Sequence, residues 1–379
     1  MDMNGREKMM EENRAEQLLF LWEKISEDAV RLLRVFGEQP VVTVPGFIDG
    51  RCVRELGDYC FSRRKLPENE IRYSRYCGGM WESGLFALND KVKKDRIVSE
   101  QEYMDENIIS LETIERDGKL HELSEKYIKE VQLPSDLEKI GSCAFYNCTE
   151  MERITVYPKL TEVGSDAFMN CLKLRHVQMC AEVEEKTGLK QLLAQIKWQV
   201  EVSFEKTEGT KEAVLLYPEY YESYDEIGPA HIFELNLTGE GFRARQCFKE
   251  GVVLLQAYDE IFPQACVEEG AEVLIPMAWN RLYYAMGLLP EAKAVYEAYV
   301  REQAEKILEL LIKQRELKQL SFFFERGYGT KEQMDLAVFR ASATEWMEGV
   351  ASLIAWRRKL FAEQTNTVDV KSRYSFDDF

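Results

Sequence analysis

The sequence predicts an α+β chain in which a short β-solenoid is followed by a small β-containing region and a mainly α-helical C-terminal domain. Three observations predict this order. A block of sequence recurs after 23 residues in the first half of the 379-residue chain. Apolar residues alternate with polar ones in parts of 195–238, and from Arg243 onward apolar residues recur at helical spacing.

The repeat is clearest in two consecutive copies at 129–152 and 152–175. The matched pairs are Val131 and Ile154, Leu133 and Val156, Leu137 and Leu160, Ile140 and Val163, Gly141 and Gly164, Ala144 and Ala167, Phe145 and Phe168, Asn147 and Asn170, and Cys148 and Cys171. A third, partial copy begins at His176, and a longer related unit lies at 41–62. One such unit cannot bury its apolar face alone, so we expect the units to stack into a continuous core.

Each unit has a simple physical logic. Ile154 and Val156 alternate as a strand should and point inward, and Pro158 then ends the strand ladder. Gly164 is expected at a turn that a Cβ atom would penalise. Phe168 is expected to fill the layer between stacked units.

The repeated residues resemble the BspA-type leucine-rich repeat. The resemblance is carried by the pattern L-P-x-x-L-x-x-I-G-x-x-A-F-x-x-C at 133–148 and by the variant V-P-x-x-I-D-G-x-x-V at 44–53. It covers roughly 29–179 and implies a leucine-rich-repeat solenoid. Repeats of this type are common in proteins of anaerobic and gut bacteria, many of them attached to the cell surface. A surface adhesin is therefore one alternative, and it requires a secretion signal that precedes Met1.

We expect five segments along the chain. They are an N-terminal helical segment at 1–28, the BspA-type repeat domain at 29–182 with an insertion at about 63–126, a β-containing linker region at 183–240, a helical domain at 241–362 and a tail at 363–379. In the first segment, Leu18, Leu19, Trp22 and Ile25 would share one helix face. A strand at 29–36 would then cap the repeats and pair with 41–44.

The last two predicted helices, at 331–359, have the length and small-residue faces of an ankyrin-like unit. They lack the T-P-L-H start of that unit, and a plain helical bundle is the alternative. The residues 330–333, Thr-Lys-Glu-Gln, form a capping-box pattern that predicts the start of the first helix of this pair.

Composition narrows the choice of partners and location. The net charge is −18, with 67 acidic and 49 basic residues, and such a surface repels phosphate backbones and anionic lipids. We therefore expect no nucleic acid and no membrane as partners. No apolar run reaches the roughly 18 residues of a membrane span, and the N-terminus carries no signal-peptide pattern, so a cytoplasmic location is expected. The nine cysteines lack C-x-x-C spacing and are expected to be reduced.

The sequence contains no pattern typical of catalysis. His121, His176 and His231 are far apart, and none lies in a zinc-binding spacing. Neither a G-x-S-x-G nor a P-loop sequence is present. We therefore predict no enzymatic activity, no cofactor and no metal, and favour a protein-protein interaction or scaffold protein whose partner is another protein. A divergent enzyme remains an alternative, with its site where the β-containing region meets the helices near Arg243 and Arg245.

Two polar rows on the repeat strands are the candidate partner-binding surface. The first row contains Glu130, Arg153 and His176, and the second contains Gln132, Thr155 and Gln178. Repeat proteins commonly bind over such rows, although rows that are merely solvated would have the same pattern. The tyrosine-rich segment 217–224 is a further possibility: it is either a contact surface or a set of rings packed over a sheet edge.

Overall fold

The structure is a computed structural model, and it describes residues 17–64, 66–67, 70–77, 79–87, 108–206, 209–227 and 231–361. The predicted tail at 363–379 lies outside these residues. Contacts divide the chain into two compact units, Met1–Leu274 and Ile275–Phe379. The first unit contains the solenoid and the second is helical, so the predicted fold class is confirmed. The predicted domain boundaries remain predictions.

The described elements run as follows. The first unit contains β1 (Leu18–Lys24), β2 (Ala29–Gly37), β3 (Val41–Thr43), β4 (Phe47–Ile48), β5 (Arg51–Leu56), β6 (Ile71–Cys77), β7 (Met80–Ala87), β8 (Ile108–Ser110), α1 (Leu111–Asp117), β9 (His121–Glu122), β10 (Glu130–Gln132), β11 (Lys139–Ile140), β12 (Arg153–Val156), β13 (Glu162–Val163), β14 (His176–Met179), α2 (Leu189–Ala194), β15 (Val200–Glu205), β16 (Lys211–Tyr217), β17 (Tyr221–Ile227), β18 (Ile232–Thr238), α3 (Gly241–Ala244), β19 (Phe248–Lys249), β20 (Val252–Val253), α4 (Leu255–Glu260) and α5 (Phe262–Glu268). Helix α6 (Ala271–Tyr283) contains the boundary between the units. The second unit continues with α7 (Pro290–Glu302), α8 (Ala304–Gln314), α9 (Leu317–Glu325), α10 (Lys331–Ala343) and α11 (Met347–Leu360).

Each repeat contributes one strand to each of two sheets. The first strands of the repeats, β3, β10, β12 and β14, lie in the six-stranded sheet, whose order is β16-β15-β14-β12-β10-β3. The second strands, β11 and β13, continue the other sheet beyond β5. Val131 lies beside Ile154, and Ile154 beside Val177, so the 23-residue offset of the sequence is the register of the stacked parallel strands.

A column of phenylalanine rings fills the space between the stacked repeats. Phe145 stacks on Phe61 at 4.8 Å between ring centroids and on Phe168 at 5.2 Å. All three side chains are fully buried. Phe61 is therefore the residue of the longer first unit that is equivalent to Phe145 and Phe168 of the later repeats.

The repeat glycines are required for a reason other than the predicted one. Neither Gly141 nor Gly164 has a positive φ. In the turns that follow these glycines, the residues with positive φ are Cys143 and Asn147 in one repeat and Asp166 and Asn170 in the next. A Cβ atom on Gly164 would instead lie 2.4 Å from the backbone nitrogen of Ser142 in the preceding repeat. The glycines permit close approach of neighbouring repeats, and the turn itself is formed by other residues.

The predicted N-terminal helical segment at 1–28 is wrong where the structure describes it. Residues 18–24 form strand β1, which lies between β2 and β6 in the larger sheet. Its residues from Leu19 to Trp22 are all buried. A strand buried on both faces has a continuous apolar run, and over so few residues that run also fits a helical face.

The strand predicted at 29–36 is present as β2, but its predicted partner is wrong. It pairs with β1 and β5, whereas β3 joins the other sheet beside β10. The inserted material at about 63–126 continues β2's sheet through β6, β7 and β8. The first repeat unit thus extends into a wide sheet, which covers the beginning of the solenoid.

The predicted β-containing region adds strands in two ways. Strand β15 pairs in parallel with β14 and extends the repeat sheet, and β16 pairs with β15 as the last strand. Strands β17 and β18 form a separate two-stranded hairpin.

The second unit consists of helices. The predicted capping box is confirmed: the Gln333 backbone N–H donates to the Thr330 hydroxyl, and the Thr330 backbone N–H donates to the Gln333 side chain. Helices α8 and α9 pack together, as do α10 and α11, and α8 also packs on α10. The turns inside these two pairs place Arg315 and Glu345 at positive φ. The ankyrin-like assignment of the last pair remains a prediction.

Candidate binding surfaces

The six residues predicted as a binding surface lie together on the repeat sheet. Glu130, Arg153 and His176 occupy equivalent positions on β10, β12 and β14, and Gln132, Thr155 and Gln178 do so two residues further on. The first row continues to Glu201 on β15 and the second to Ser203. Stacking at a constant offset produces these rows, because each repeat places the same position one strand further along the sheet.

Much of the hydrogen-bonding capacity of the second row is used within the protein. The Thr155 hydroxyl donates to Gln178 Oε1 at 3.4 Å, and the Gln178 side-chain nitrogen donates to Glu205 Oε2 at 2.9 Å. Gln132 donates to the Tyr157 hydroxyl at 3.3 Å. Thr155 is only 8% exposed. In the first row, His176 Nδ1 lies 3.7 Å from Glu201 Oε1. Much of this face therefore stabilises the stacking of the strands.

Polar side chains also pair between repeats on the turns. Asn170 donates from its side-chain nitrogen to Asn147 Oδ1 at 2.6 Å, and Lys173 Nζ lies 2.7 Å from Glu150 Oε2. Lys159 forms an ion pair with Asp136. These pairs were missed in the sequence, although each joins residues at the 23-residue offset. Their hydrogen bonds lower the pKa of Glu150 and Asp136, with Lys173 and Lys159 as the largest cause for each.

A cleft of about 630 Å³ lies between the turns of the last repeats and the segment that leads into the β17–β18 hairpin. It is lined by Asp166, Met169, Asn170, Leu172, Ala194, Gln195, Lys197, Trp198, Glu219, Tyr220, Tyr221, Glu222 and Tyr224. All of these residues belong to the first unit.

Four large apolar or aromatic side chains of this cleft are exposed to solvent. Met169 is 46% exposed and Leu172 is 61% exposed on the repeat side. Tyr221 and Tyr224 are 62% and 66% exposed on the hairpin side. Folded proteins rarely expose contiguous apolar surface of this kind unless it contacts a partner.

The exposure of Leu172 is a local feature of the last repeat. The position 23 residues earlier is Thr149, and the position equivalent to Met169 is Tyr146. The packing of a repeat therefore does not require an aliphatic side chain at either site. Leu172 and Met169 differ from their counterparts where the hairpin lies nearby.

The buried guanidinium of Arg245 joins backbone segments next to the cleft. It donates to the carbonyls of Ile196, Trp198, Pro218 and Gly241 at 2.6 to 2.9 Å. Its Cζ atom lies 5.1 Å from the ring centroid of Tyr220. Burial lowers the pKa of this guanidinium to about 10. Arg245 thus joins two of the three stretches of chain that line the cleft, 194–198 and 219–224.

The arginines of the alternative enzyme site have structural partners. Arg245 is 3% exposed and bonds to backbone carbonyls, and Arg243 lies 3.0 Å from Glu240 Oε1. In the described part of the chain, no group of three or more His, Cys, Asp or Glu side chains is arranged to hold a metal ion. The same part contains no helix with the length and hydropathy needed to cross a bilayer.

The sequence left open whether the tyrosines of 217–224 form a contact surface or pack over a sheet edge, and the structure shows two buried and two exposed tyrosines. Tyr217 and Tyr220 are buried, with Tyr217 at 5.9 Å from the ring of Tyr258. Tyr221 and Tyr224 are exposed. The change occurs where β16 ends and the hairpin begins, and a list of residue types does not reveal that boundary.

Comparison with known proteins identifies the repeat. Residues 121–187 match the family model described as "BspA type Leucine rich repeat region (6 copies)". No curated protein matches the chain. A similar solved structure is a leucine rich cell surface protein from Faecalibacterium prausnitzii A2-165, with 17% sequence identity and a TM-score of 0.22. The alignment covers 42% of this chain and 35% of that protein.

Proposed function

We propose, on the premise that this chain carries a BspA-type leucine-rich-repeat region, that it is a non-catalytic protein-protein interaction or scaffold protein. Its partner is another protein. Repeat proteins of this kind commonly bind partners over their extended surfaces. The cytoplasmic location predicted from the sequence is part of this proposal.

One observation carries the proposal: four exposed large side chains, Met169, Leu172, Tyr221 and Tyr224, line a single cleft. Tyrosine is enriched in protein interfaces because it buries a large apolar ring and still offers a hydroxyl. Arg245 fixes the backbone of two of the three stretches of chain that line the cleft, which reduces the ordering that binding there requires. The strand rows that begin at Glu130 and Gln132 are proposed as a second, more polar contact region.

Photo-crosslinking in the native cell tests this function. A benzophenone amino acid is placed at Leu172 in the cleft, at Gln132 on the exposed strand row, or at Val267 as a control. Val267 is also an exposed aliphatic residue of the first unit, at 78% exposure, but it does not line the cleft. We expect a discrete protein adduct from position 172, and an additional one from position 132 if the partner reaches the strand rows.

Two results decide the outcome. The adduct at position 172 should disappear when Tyr224 is replaced by Ser, because half of the exposed aromatic surface of the cleft is then lost. A set of adducts at 172 that is the same as at 267, or no adduct at 172, would contradict the proposal.

A further inference from the structure

The cleft lies along one edge of strand β17. This strand pairs with β18 from Tyr221 opposite Thr238 to Ile227 opposite Ile232, and no second strand pairs with it among the residues that the structure describes. Tyr221, Glu222 and Tyr224 line the cleft, whereas no residue of β18 does. Successive residues of a strand point to opposite faces, so a cleft lined by both Tyr221 and Glu222 touches both faces of β17. It therefore follows the outer edge of the strand.

An outer strand edge is a template for a further strand. Its N–H and C=O groups that point away from β18 have no ladder partner in the described sheet. An extended peptide can add to such an edge through main-chain hydrogen bonds, with its alternate side chains selecting the sequence. The cleft provides the space beside the edge that such a strand needs.

The charge around this edge is almost entirely negative. The segment 219–240 contains six carboxylates and no lysine or arginine: Glu219, Glu222, Asp225, Glu226, Glu234 and Glu240. Lys197 pairs with Glu222 at 2.7 Å, and Arg243 pairs with Glu240 at 3.0 Å. Glu226 pairs with the His231 side chain, and Glu219, Asp225 and Glu234 have no cationic partner among the described ion pairs. An anionic segment would be repelled here, and a cationic one would be attracted.

One face of the hairpin carries Tyr224, Leu235 and Leu237 together with the carboxylates of Glu222 and Glu226. Tyr224 lies opposite Leu235, and Glu222 lies opposite Leu237, so these four side chains share a face. Leu235 is 47% exposed and Leu237 is 40% exposed. An added strand with aliphatic side chains on this face would continue an apolar surface that the hairpin already presents.

We infer that the cleft binds an extended, cationic segment of a partner protein, which adds as a strand to the outer edge of β17. Its aliphatic side chains lie on the face of Tyr224, and its lysine or arginine side chains lie on the opposite face, which carries Asp225 and Glu234. This inference rests on the proposed function and specifies the chemistry of the partner.

Three labelled heptapeptides test the inference on the full chain by fluorescence anisotropy. The first alternates Lys and Val, the second alternates Glu and Val, and the third is the first with Pro in place of the central Val. We expect the Lys peptide to bind at least tenfold more tightly than the Glu peptide, with affinity that falls as salt rises. We expect the Pro peptide to bind about tenfold more weakly than the Lys peptide at the same charge, because it cannot complete the ladder.

Matched protein variants locate the binding. Asp225→Asn with Glu234→Gln removes the two paired carboxylates of the face opposite Tyr224 and should weaken binding of the Lys peptide by roughly tenfold, at a few-fold per charge. Glu184→Gln with Glu185→Gln removes two exposed carboxylates elsewhere in the same unit and should leave the affinity unchanged. Circular dichroism spectra of both variants confirm that they are folded.

Equal binding of the Lys and Pro peptides would overturn the strand addition, and equal binding of the Lys and Glu peptides would overturn the charge selection. Binding of neutral oligosaccharides at the cleft, with no binding of the Lys peptide, would also overturn the inference. The crosslinking at Leu172 does not depend on the charge or conformation of the partner. A crosslinked partner with no peptide binding would therefore refute this inference alone, and loss of the crosslink would refute the proposed function.

Discussion

Replacing Gly141 by Ala should destabilise the repeat segment far more than the addition of one methyl group suggests. A Cβ atom at this position would lie 2.5 Å from the carbonyl carbon of Gly57 and 2.6 Å from the backbone nitrogen of Asp58. Both atoms belong to the backbone of the neighbouring unit, so no side-chain rotation relieves the clash. Ordinary carbon contacts begin about 1 Å further apart, and the two units would have to separate by roughly that distance.

The expected cost follows from what this separation breaks. Gly141 donates from its backbone nitrogen to Leu56 at 2.9 Å, and the next N–H, of Ser142, donates to Asp58 Oδ1 at 2.7 Å. Losing or stretching each bond costs about 1 kcal/mol, and overpacking costs about 1–3 kcal/mol. We expect the free energy of unfolding of the repeat segment to fall by about 3 kcal/mol.

Gly46→Ala is the matched control. No atom lies within 4 Å of a Cβ atom built at Gly46, and its φ is not positive. The same substitution there should leave the stability unchanged or raise it by up to about 1 kcal/mol, because it restricts the unfolded chain. Hydrogen exchange of peptides from 129–156 as a function of urea measures the repeat segment separately from the second unit. If Gly141→Ala and Gly46→Ala have the same unfolding midpoint, close approach does not explain the repeat glycines.

Three further changes have defined outcomes. Phe145→Ala removes the middle ring of the column with Phe61 and Phe168. It should lower the free energy of unfolding in urea by about 3–5 kcal/mol. A loss below about 1 kcal/mol would show that the column is not central to the core. Pairing with Lys173 and Lys159 lowers the pKa of Glu150 from its ordinary 4.5 and that of Asp136 from its ordinary 3.8. The two pairs therefore stabilise the fold above those values, and this stabilisation is lost as the pH falls through the folded-state pKa values. Lys173→Met with Lys159→Met should flatten the decline of the urea midpoint below about pH 4.5, and an unchanged slope would contradict this. Arg245→Met leaves the carbonyls of Ile196, Trp198 and Pro218 without this donor. It should lower the free energy of unfolding in urea by about 3 kcal/mol and weaken the crosslink at Leu172. Unchanged stability would show that these carbonyls find other donors.

The repeat was predictable because stacking converts a sequence offset into a spatial register. Val131, Ile154 and Val177 are equally spaced in the chain and adjacent in the sheet, so one periodicity determines both. The same offset relates Lys173 to Glu150 and Asn170 to Asn147. Those pairs could have been inferred from the sequence by applying the offset to the polar positions as well as to the apolar ones.

Strand β1 was not predictable from its own residues. The run from Leu19 to Trp22 fits a helix face and a doubly buried strand equally well. The choice is made by β2 and β6, which supply hydrogen-bond partners on both sides. The β6 partner lies within the inserted material after residue 63, and no local signal links it to β1.

The cleft could not be found from the sequence because its walls come from separate parts of the chain. Leu172 belongs to a repeat turn, Trp198 precedes β15, and Tyr224 lies on the hairpin. Arg245 joins the last two through carbonyl groups, which every residue carries, and the Tyr220 backbone N–H also donates to the Lys197 carbonyl at 3.0 Å. A sequence shows which side chains are available, but it does not show which carbonyls a buried guanidinium will bind.

The strand rows and the cleft offer different contacts to a partner protein, and this difference predicts which of the two determines the choice of partner. On the strand rows, the Thr155 and Gln178 side chains already form hydrogen bonds within the protein. A partner must therefore break those hydrogen bonds or bind through the groups that are still free. At the cleft, Leu172 stands where the preceding repeat has Thr149, and Tyr224 is exposed beside it on the hairpin wall. Exchanging Leu172 for Thr would restore the residue type of the preceding repeat. It should therefore leave the stability within about 0.5 kcal/mol, because the side chain is exposed, and still weaken binding at the cleft. Unchanged binding in that variant would move the specificity back to the strand rows.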